Sequence, residues 1–269
     1  MFNSLADYLL TSDPLSAGMI AILTGTGIFV GFVNTLAGMA TALSYALFMA
    51  MGMPINVANG TSRVGVLAQF AVSSVVFKKS GYLDLGLGTK VGIPVALGSI
   101  AGAQAAAVLN PAVMEVAMGI MLPIMAFLLL YSQKGREGRV ITPELEARSK
   151  KFGILKFIAF VFIGAYGGFT HAGVGILIIF GSFYMLGLDI LRANGIKQFA
   201  VVIYTPLALS IFIWHDQVNW PVALVYAVGN VIGAYIASKF AVKFGARFIN
   251  YAIALAVCAM SFWLIYKQF

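Results

Sequence analysis

Charged side chains are scarce in this chain of 269 residues, of which only 10% are charged. A soluble domain carries about 25% charged residues, so this chain could not cover a water-facing surface. The single cysteine excludes an internal disulfide, and there are only two histidines. Because neither a CxxC pair nor an HExxH motif is present, we expect no metal, no cofactor and no enzymatic activity.

Signals for nucleotide or nucleic-acid binding are also missing. The stretch Gly25-Thr26-Gly27 lies inside an apolar run without a preceding strand or a following Gly-Lys-Ser/Thr, so it is not a nucleotide loop. The formal net charge of +8 is concentrated in loops, which indicates membrane topology rather than a nucleic-acid partner. The first thirteen residues hold two aspartates and no Lys or Arg, which argues against a cleavable signal peptide.

Apolar residues make up 61% of the chain, and they follow a repeat with an offset of 135 residues. Thr-Leu-Ala-Gly at 35–38 recurs as Thr-His-Ala-Gly at 170–173, and Ala-Asn-Gly at 58–60 recurs at 193–195. A duplicated and almost wholly apolar chain is typical of secondary transporters, for which lipid is the solvent.

Ten apolar segments can be recognised, five in each copy. They cover residues 15–33, 40–53, 57–77, 84–107 and 112–131, and then 154–168, 174–187, 193–213, 219–239 and 246–266. The second segment of each copy would be about 20 Å long as a helix, too short for a hydrocarbon core of about 30 Å. We therefore expect an all-α polytopic membrane protein, in which each repeat is a broken or re-entrant helix pair plus three transmembrane helices.

The loop charges predict that the two repeats have inverted topology. The loop at 78–79 is basic, whereas its equivalent at 214–216 has no Lys or Arg. By the positive-inside rule the first loop and the basic linker are cytoplasmic, and both termini are extracytoplasmic. The predicted domains are an extracytoplasmic segment (1–14), membrane repeat 1 (15–131), a cytoplasmic basic linker (132–152) and membrane repeat 2 (153–269). The expected location is the cytoplasmic (inner) membrane of a prokaryote.

Two polar, glycine-rich breaks lie at equivalent points of the repeats, at 31–38 and 167–175. Interrupted helices at matching positions are a sequence pointer to a transport site. The short helix after each break would aim unpaired N–H groups and a positive dipole end at an anion. The alternative is that the glycines only allow helices to pack closely.

Cations follow the breaks at the start of the third segment of each repeat. Arg63 could clamp an oxyanion through two N–H groups, and Lys197 could supply a point charge. Alternatively, both extend to the membrane surface, since both lie near a segment end. His171 could relay a proton or donate to an anion, or it could be a structural histidine. The predicted substrate-binding residues are Asn34, Thr35, Gly38, Asn59, Arg63, Thr170, His171, Gly173, Asn194 and Lys197.

At these positions the chain resembles the TauE/SafE family of sulfite and organosulfonate exporters, also called the toluene sulfonate uptake permeases. The resemblance rests on the first break, on residues 58–64 and 193–197, and on the segments 218–220 and 229–233. It covers the chain from about residue 16. It implies a transporter of sulfite, sulfoacetate or another sulfur-containing anion.

Residues and resemblance together predict an exporter of a small sulfur-containing anion that works by alternating access between two inverted repeats. The expected partners are this anion and the lipid bilayer, with protons or sodium as candidate coupling ions and a homo-oligomer left open. Three alternatives remain: a passive anion channel, a transporter of a non-sulfur anion such as a carboxylate, and a membrane-embedded enzyme or assembly factor. The last would need a catalytic cluster, for which the sequence has few titratable groups.

Overall fold

The computed structural model describes residues 2–120 and 152–266, with the side chains of 7–120 and 152–245. The predicted basic linker therefore lies outside the described residues except for residue 152, as does the second half of the segment at 112–131. The helices are α1 (Phe2–Thr11), α2 (Ala17–Leu36), α3 (Thr41–Ala50), α4 (Ile55–Lys79), α5 (Leu85–Val108), α6 (Pro111–Ile120), α7 (Ile154–Phe169), α8 (Val174–Phe180), α9 (Ile190–Trp214) and α10 (Trp220–Tyr266).

The prediction of an all-α polytopic membrane protein is confirmed, because the described residues contain helices and no strand. In this part of the chain, five helices are long and apolar enough to cross a membrane: α2, α4, α5, α9 and the Trp220–Gly245 part of α10. A short π-helix, Gly181–Met185, extends α8, and α10 is kinked at Gly245, where φ is 71° and ψ is −161°. Helix α1 lies in the predicted extracytoplasmic segment (1–14), outside the ten predicted apolar segments.

Polar side chains fix where several long helices begin. Asp84 accepts a hydrogen bond from the Leu87 N–H at 3.0 Å and caps α5, and Asp189 accepts from the Arg192 N–H at 2.9 Å and caps α9. Each carboxylate satisfies a backbone donor that the first helical turn leaves unpaired and faces the positive end of the helix dipole.

The offset of the sequence repeat recurs in the backbone. Helix α4 begins at Ile55 and ends at Lys79, while α9 begins at Ile190 and ends at Trp214, 135 residues later at both ends. Positive φ angles occur at three equivalent pairs of positions. These pairs are Gly38 and Gly173, Gly52 and Gly187, and Gly81 and Asp216.

Contacts of helical glycines show which helices run in the same direction. A Cβ added to Gly98 or Gly102 of α5 would lie 1.9 Å from the carbonyl oxygen of Val161 or Ala165 of α7, so these two helices are parallel. By the same test α2 is parallel to α10, because Gly27 faces Tyr226 and Gly31 faces Asn230. Such close backbone approach needs residues without a side chain at the contact.

Helices α4 and α9, which occupy equivalent places in the two copies, are antiparallel. Gly60 near the start of α4 lies against Phe212 near the end of α9, and Gly195 near the start of α9 lies against Phe77 near the end of α4. Equivalent helices of the two copies therefore run in opposite directions in the described part of the chain.

The same contacts show how the chain passes through each break. Gly88 and Gly92 of α5 lie against Phe199 and Ile203 of α9, so α9 is parallel to α5 and hence to α7. Since α7 and α9 run the same way, α8 between them carries the chain back. Helices α2 and α4 are likewise both parallel to α10, and α3 returns between them. In each broken pair the short helix thus runs opposite to the helices before and after it.

Candidate functional site

The structure buries every one of the predicted site residues. The exposed fraction is 0% for Arg63 and Lys197 and 1% for His171. The remaining seven are also buried: Asn34, Thr35, Gly38, Asn59, Thr170, Gly173 and Asn194. The alternative that the two cations extend to the membrane surface is therefore wrong, because both side chains end inside the protein.

The two breaks meet at a contact between glycines. Gly38 has a φ of 78°, and a Cβ added there would lie 2.7 Å from the Cα of Gly175. Gly173, at the equivalent position of the second break, has a φ of 86° and is the residue before α8. Only glycine combines this left-handed conformation with so close an approach of two backbones.

The first break is held together by the side chain of Asn34. Its Oδ1 accepts a hydrogen bond from the Ala40 N–H at 2.6 Å, and its Nδ2 donates to Thr41 Oγ1 at 2.8 Å. Ala40 and Thr41 are the residues at which α3 begins, so Asn34 ties the end of α2 to the start of α3. The neighbouring Thr35 hydroxyl is 3.2 Å from the hydroxyl of Ser73 on α4.

The second break is anchored by α3 and α4 of the first copy. The His171 N–H donates to the Tyr45 hydroxyl at 3.2 Å, and this hydroxyl donates to Asn59 Oδ1 at 3.1 Å. Asn59 Nδ2 in turn donates to the Phe169 carbonyl at 2.8 Å. Within the break, Thr170 Oγ1 accepts from the Ala172 N–H at 3.3 Å. Both Asn59 and Thr170 thus satisfy backbone groups that the interrupted helix leaves without partners.

Arg63 reaches the end of the broken helix of the opposite copy. Its Nη2 donates to the carbonyls of Gly167 at 3.2 Å and Gly168 at 2.6 Å, and its Cζ lies 4.8 Å from the centre of the Phe212 ring. Its Nε and Nη1 are buried and have no hydrogen-bond partner among the described residues. Since an arginine carries five N–H donors, part of the guanidinium can still bind an acceptor.

Lys197 makes the reciprocal contact with the first copy. Its Nζ donates to the carbonyls of Asn34 at 3.0 Å and Thr35 at 2.7 Å, and it lies 5.4 Å from the centre of the Phe70 ring. These carbonyls lie in the last turn of α2, where the helix dipole is negative. Each cation therefore binds the carboxyl end of the broken helix of the other copy.

No protein carboxylate neutralises these two cations in the described part of the chain. Every Asp and Glu side chain described there is exposed or half-buried, whereas Arg63 and Lys197 are fully buried. Carbonyl dipoles offset part of the cost of burying a cation, but a full opposite charge is the usual partner. Positive charge without a buried counter-ion makes this region suited to attract an anion.

His171 is held by two aromatic residues. Its Nδ1 is hydrogen-bonded to the Tyr204 hydroxyl at 2.5 Å, and its ring meets the Phe70 ring edge to face at 5.7 Å between centres. Phe70 thus contacts both His171 and Lys197, which places the second break beside the cation that binds the first break.

Several residues that complete this site were not among the predicted ones. Gln198 Nε2 donates to the Thr35 carbonyl at 2.9 Å and to Asn194 Oδ1 at 3.1 Å. The offset of 135 pairs Gln198 with Arg63, so the repeat itself contained a signal for this residue. Tyr45 and Phe70 have no such signal, because their equivalents in the other copy are Phe180 and Thr205.

A metal site is not formed among the described residues, where no group of three or more His, Cys, Asp or Glu side chains comes together. Unpaired amide atoms, by contrast, occur beside the cations. Asn194 Nδ2 and Gln198 Oε1 are buried without a partner in the described part of the chain. The chemistry available here is therefore hydrogen bonding and positive charge.

Comparison with known proteins gives matches over most of the chain. The model of the family described as Sulfite exporter TauE/SafE matches residues 23–264. "Probable membrane transporter protein ORF9" of Sinorhizobium sp. is 24% identical over 255 residues, covering 94% of this chain and 95% of that protein. "Probable membrane transporter protein YfcA" of Escherichia coli K12 is 23% identical over 270 aligned positions, covering 99% and 94%. No solved structure matches the chain.

Proposed function

This chain belongs to the TauE/SafE sulfite exporter family, and from that premise we propose that it is a secondary transporter that exports a small sulfur-containing anion. Sulfite and organosulfonates such as sulfoacetate are the proposed substrates. The family and the names of the relatives support a membrane transporter, and the family description supports sulfite as the first substrate to test.

The observation that carries the proposal is the unpartnered part of Arg63. Its Nε and Nη1 are buried, lack acceptors among the described residues, and face no buried carboxylate there. The N–H groups on Nε and Nη1 are charged donors that can bind oxygens of a sulfite or sulfonate group. The proposed site also includes Lys197 and its neighbour Asn194, whose Nδ2 is a buried donor without a partner among the described residues.

The proposed mechanism is alternating access between two inverted repeats. The opposite directions of α4 and α9, together with the helix ends that recur at an offset of 135, support such a relation. Arg63 and Lys197 each tie a helix of one copy to the break of the other. An anion that draws either cation away from those carbonyls would loosen one break, and the copies could then move relative to each other.

The direct test is the flux of sulfite or sulfoacetate through Arg63→Ala in proteoliposomes. We expect the variant to lose nearly all flux, because removing a guanidinium that binds a desolvated anion costs about 3–5 kcal/mol, or over a hundredfold. Lys90→Ala, which removes an exposed cation from α5, is the matched control and should retain flux. Unchanged flux in a folded Arg63→Ala variant would remove this residue from the site.

Substrate identity is tested by thermal stabilisation of the purified protein. A ligand that binds only the folded state raises the melting temperature. Sulfite, sulfoacetate, sulfate, thiosulfate and dicarboxylates form the panel. Stabilisation by dicarboxylates alone would contradict the sulfur-anion assignment, and flux without saturation or counterflow would indicate a passive channel.

A further inference from the structure

A cavity of about 310 Å³ opens between α4 and α10, away from the breaks. Its α4 side begins at Val72, nine residues beyond Arg63, which is about 14 Å along a helix. Its volume is at the lower end of the range for small-ligand sites. The lining residues are Val72, Val75, Val76, Lys79, Ser80, Tyr235 and Lys239.

The cavity has a charged end and an apolar end. Lys79 at the end of α4 and Lys239 on α10 contribute two ammonium groups, and Ser80 contributes a hydroxyl. The Lys239 Nζ lies 5.6 Å from the centre of the Tyr235 ring. None of these described lining residues is acidic.

The apolar end faces outward from the helix bundle. Val75 is 53% exposed and Tyr235 is 49% exposed, and both lie on helices long and apolar enough to cross a membrane. Exposed apolar side chains on such helices contact lipid. A ligand that fits must therefore combine an anionic group with hydrocarbon chains that stay in the bilayer.

We propose that this cavity binds the head group of an anionic phospholipid, with the phosphate between Lys79 and Lys239 and an acyl chain along the valines. Basic pockets between membrane helices at the cytoplasmic side suit lipid phosphates. The loop that follows Lys79 is the one whose charge predicts a cytoplasmic location. A free inorganic phosphate would use the two ammonium groups but not the apolar end.

The test compares lipid binding by the purified full-length protein in detergent. Phosphatidylglycerol and phosphatidylcholine are titrated, and bound lipid is counted by native mass spectrometry. Lys79→Gln combined with Lys239→Gln should bind phosphatidylglycerol about 25-fold more weakly, since each lysine near a lipid phosphate contributes about fivefold. Lys78→Gln combined with Lys243→Gln removes the same charge from the same helix ends but outside the cavity, and this control should bind like the wild type.

A second variant separates the cavity from general surface charge. Val75→Trp keeps both lysines and fills the apolar end at a position that is already half exposed, so it should fold and yet lose tight phosphatidylglycerol binding. Equal weakening in both double variants, or unchanged binding in Val75→Trp, would overturn the proposal. Displacement of the lipid by inorganic phosphate at equal concentration would also overturn it, because the occupant would then be a soluble anion.

Discussion

Arg63 and Lys197 are cationic side chains buried inside the protein, and burying a charge is costly unless it is paired. Both are completely buried, and the described carboxylates all lie nearer the surface. Their partners are instead carbonyl groups that helix ends leave unpaired, two for each cation. These hydrogen bonds serve both sides. The carbonyls at the end of the broken helix gain donors, and the N–H groups of the buried cation gain acceptors. The three N–H groups on Nε and Nη1 of Arg63 have no partner among the described residues, and the proposed anion would bind them.

At Gly38 the conformation of a single residue controls how closely the breaks approach. We expect Gly38→Ala to lower the free energy of unfolding by about 1–3 kcal/mol, because φ is positive and the added methyl would lie 2.7 Å from the Gly175 Cα. The measurement is thermal unfolding of purified protein followed by tryptophan fluorescence.

Gly25→Ala is the control for this substitution. Gly25 lies within α2, and an added Cβ would meet no described residue within 4 Å. Alanine is the better helix former, so stability should be unchanged or rise by up to about 1 kcal/mol. If the two alanine variants unfold alike, the contact between the breaks does not contribute to stability.

Among the helices, the tightest packing joins the first membrane segment of each copy to the fourth segment of the other copy, that is α2 to α10 and α7 to α5. On α5, glycines at 98 and 102 face carbonyls of α7, and on α7 glycines at 164 and 168 face carbonyls of α5. Backbones this close gain dispersion contacts that larger residues would prevent, which is the usual basis of helix association in lipid. The pairing of α2 with α10 repeats the same solution.

Gly102→Ala tests this packing. A Cβ there would lie 1.9 Å from the Ala165 carbonyl oxygen, so α5 and α7 must separate. Overpacking of this kind costs about 1–3 kcal/mol, and the urea or detergent midpoint of unfolding should fall accordingly. Gly119→Ala on α6 is the comparison, because no described residue lies within 4 Å of its added Cβ, and its midpoint should stay the same or rise slightly. A fall of equal size in both would point to loss of glycine flexibility rather than to helix contact.

The elements themselves could be predicted, but their directions through the breaks could not. Apolar runs and polar interruptions depend on local composition, so helices α2 to α5 and α7 to α10 agree with the predicted segments. Whether a short helix continues across the bilayer or returns depends on its packing against other helices, which a single sequence does not contain.

For the candidate site, the residues could be predicted from the sequence, but most of their partners could not. Arg63, Lys197 and both breaks were identified because charges and glycines are rare within apolar segments. The partners of the cations depend on which carbonyls face them, and those belong to the opposite copy. Asn34 and Asn59 were predicted to hold substrate oxygens, whereas their observed hydrogen bonds hold the breaks together. Backbone groups at a break need hydrogen-bond partners, and nearby side-chain amides supply them. An amide that binds the backbone and an amide that binds substrate look the same in a sequence.

At the scale of the whole molecule, contacts between the copies come in exchanged pairs. Helix α2 packs on α10 and α7 packs on α5, while α4 packs on α10 and α9 packs on α5. Helix α4 also packs on its own equivalent, α9. If two copies are related by a two-fold axis, each contact from a helix of one copy must recur from the equivalent helix of the other copy. The observed pairs of contacts have this property.

The orientation of this arrangement in the membrane gives a final prediction. Ser80 follows α4 and His215 follows α9, and they are equivalent positions under the offset of 135. In a Cys258→Ala background, the only native cysteine is gone, so a single cysteine can be placed at either site. Loop charge predicts that His215→Cys reacts with a membrane-impermeant maleimide on intact cells, whereas Ser80→Cys reacts only after the membrane is opened. If both cysteine variants react on intact cells, the two loops lie on the same side of the membrane, and inverted repeats are then excluded. The reverse pattern would keep the inversion but place both chain termini in the cytoplasm.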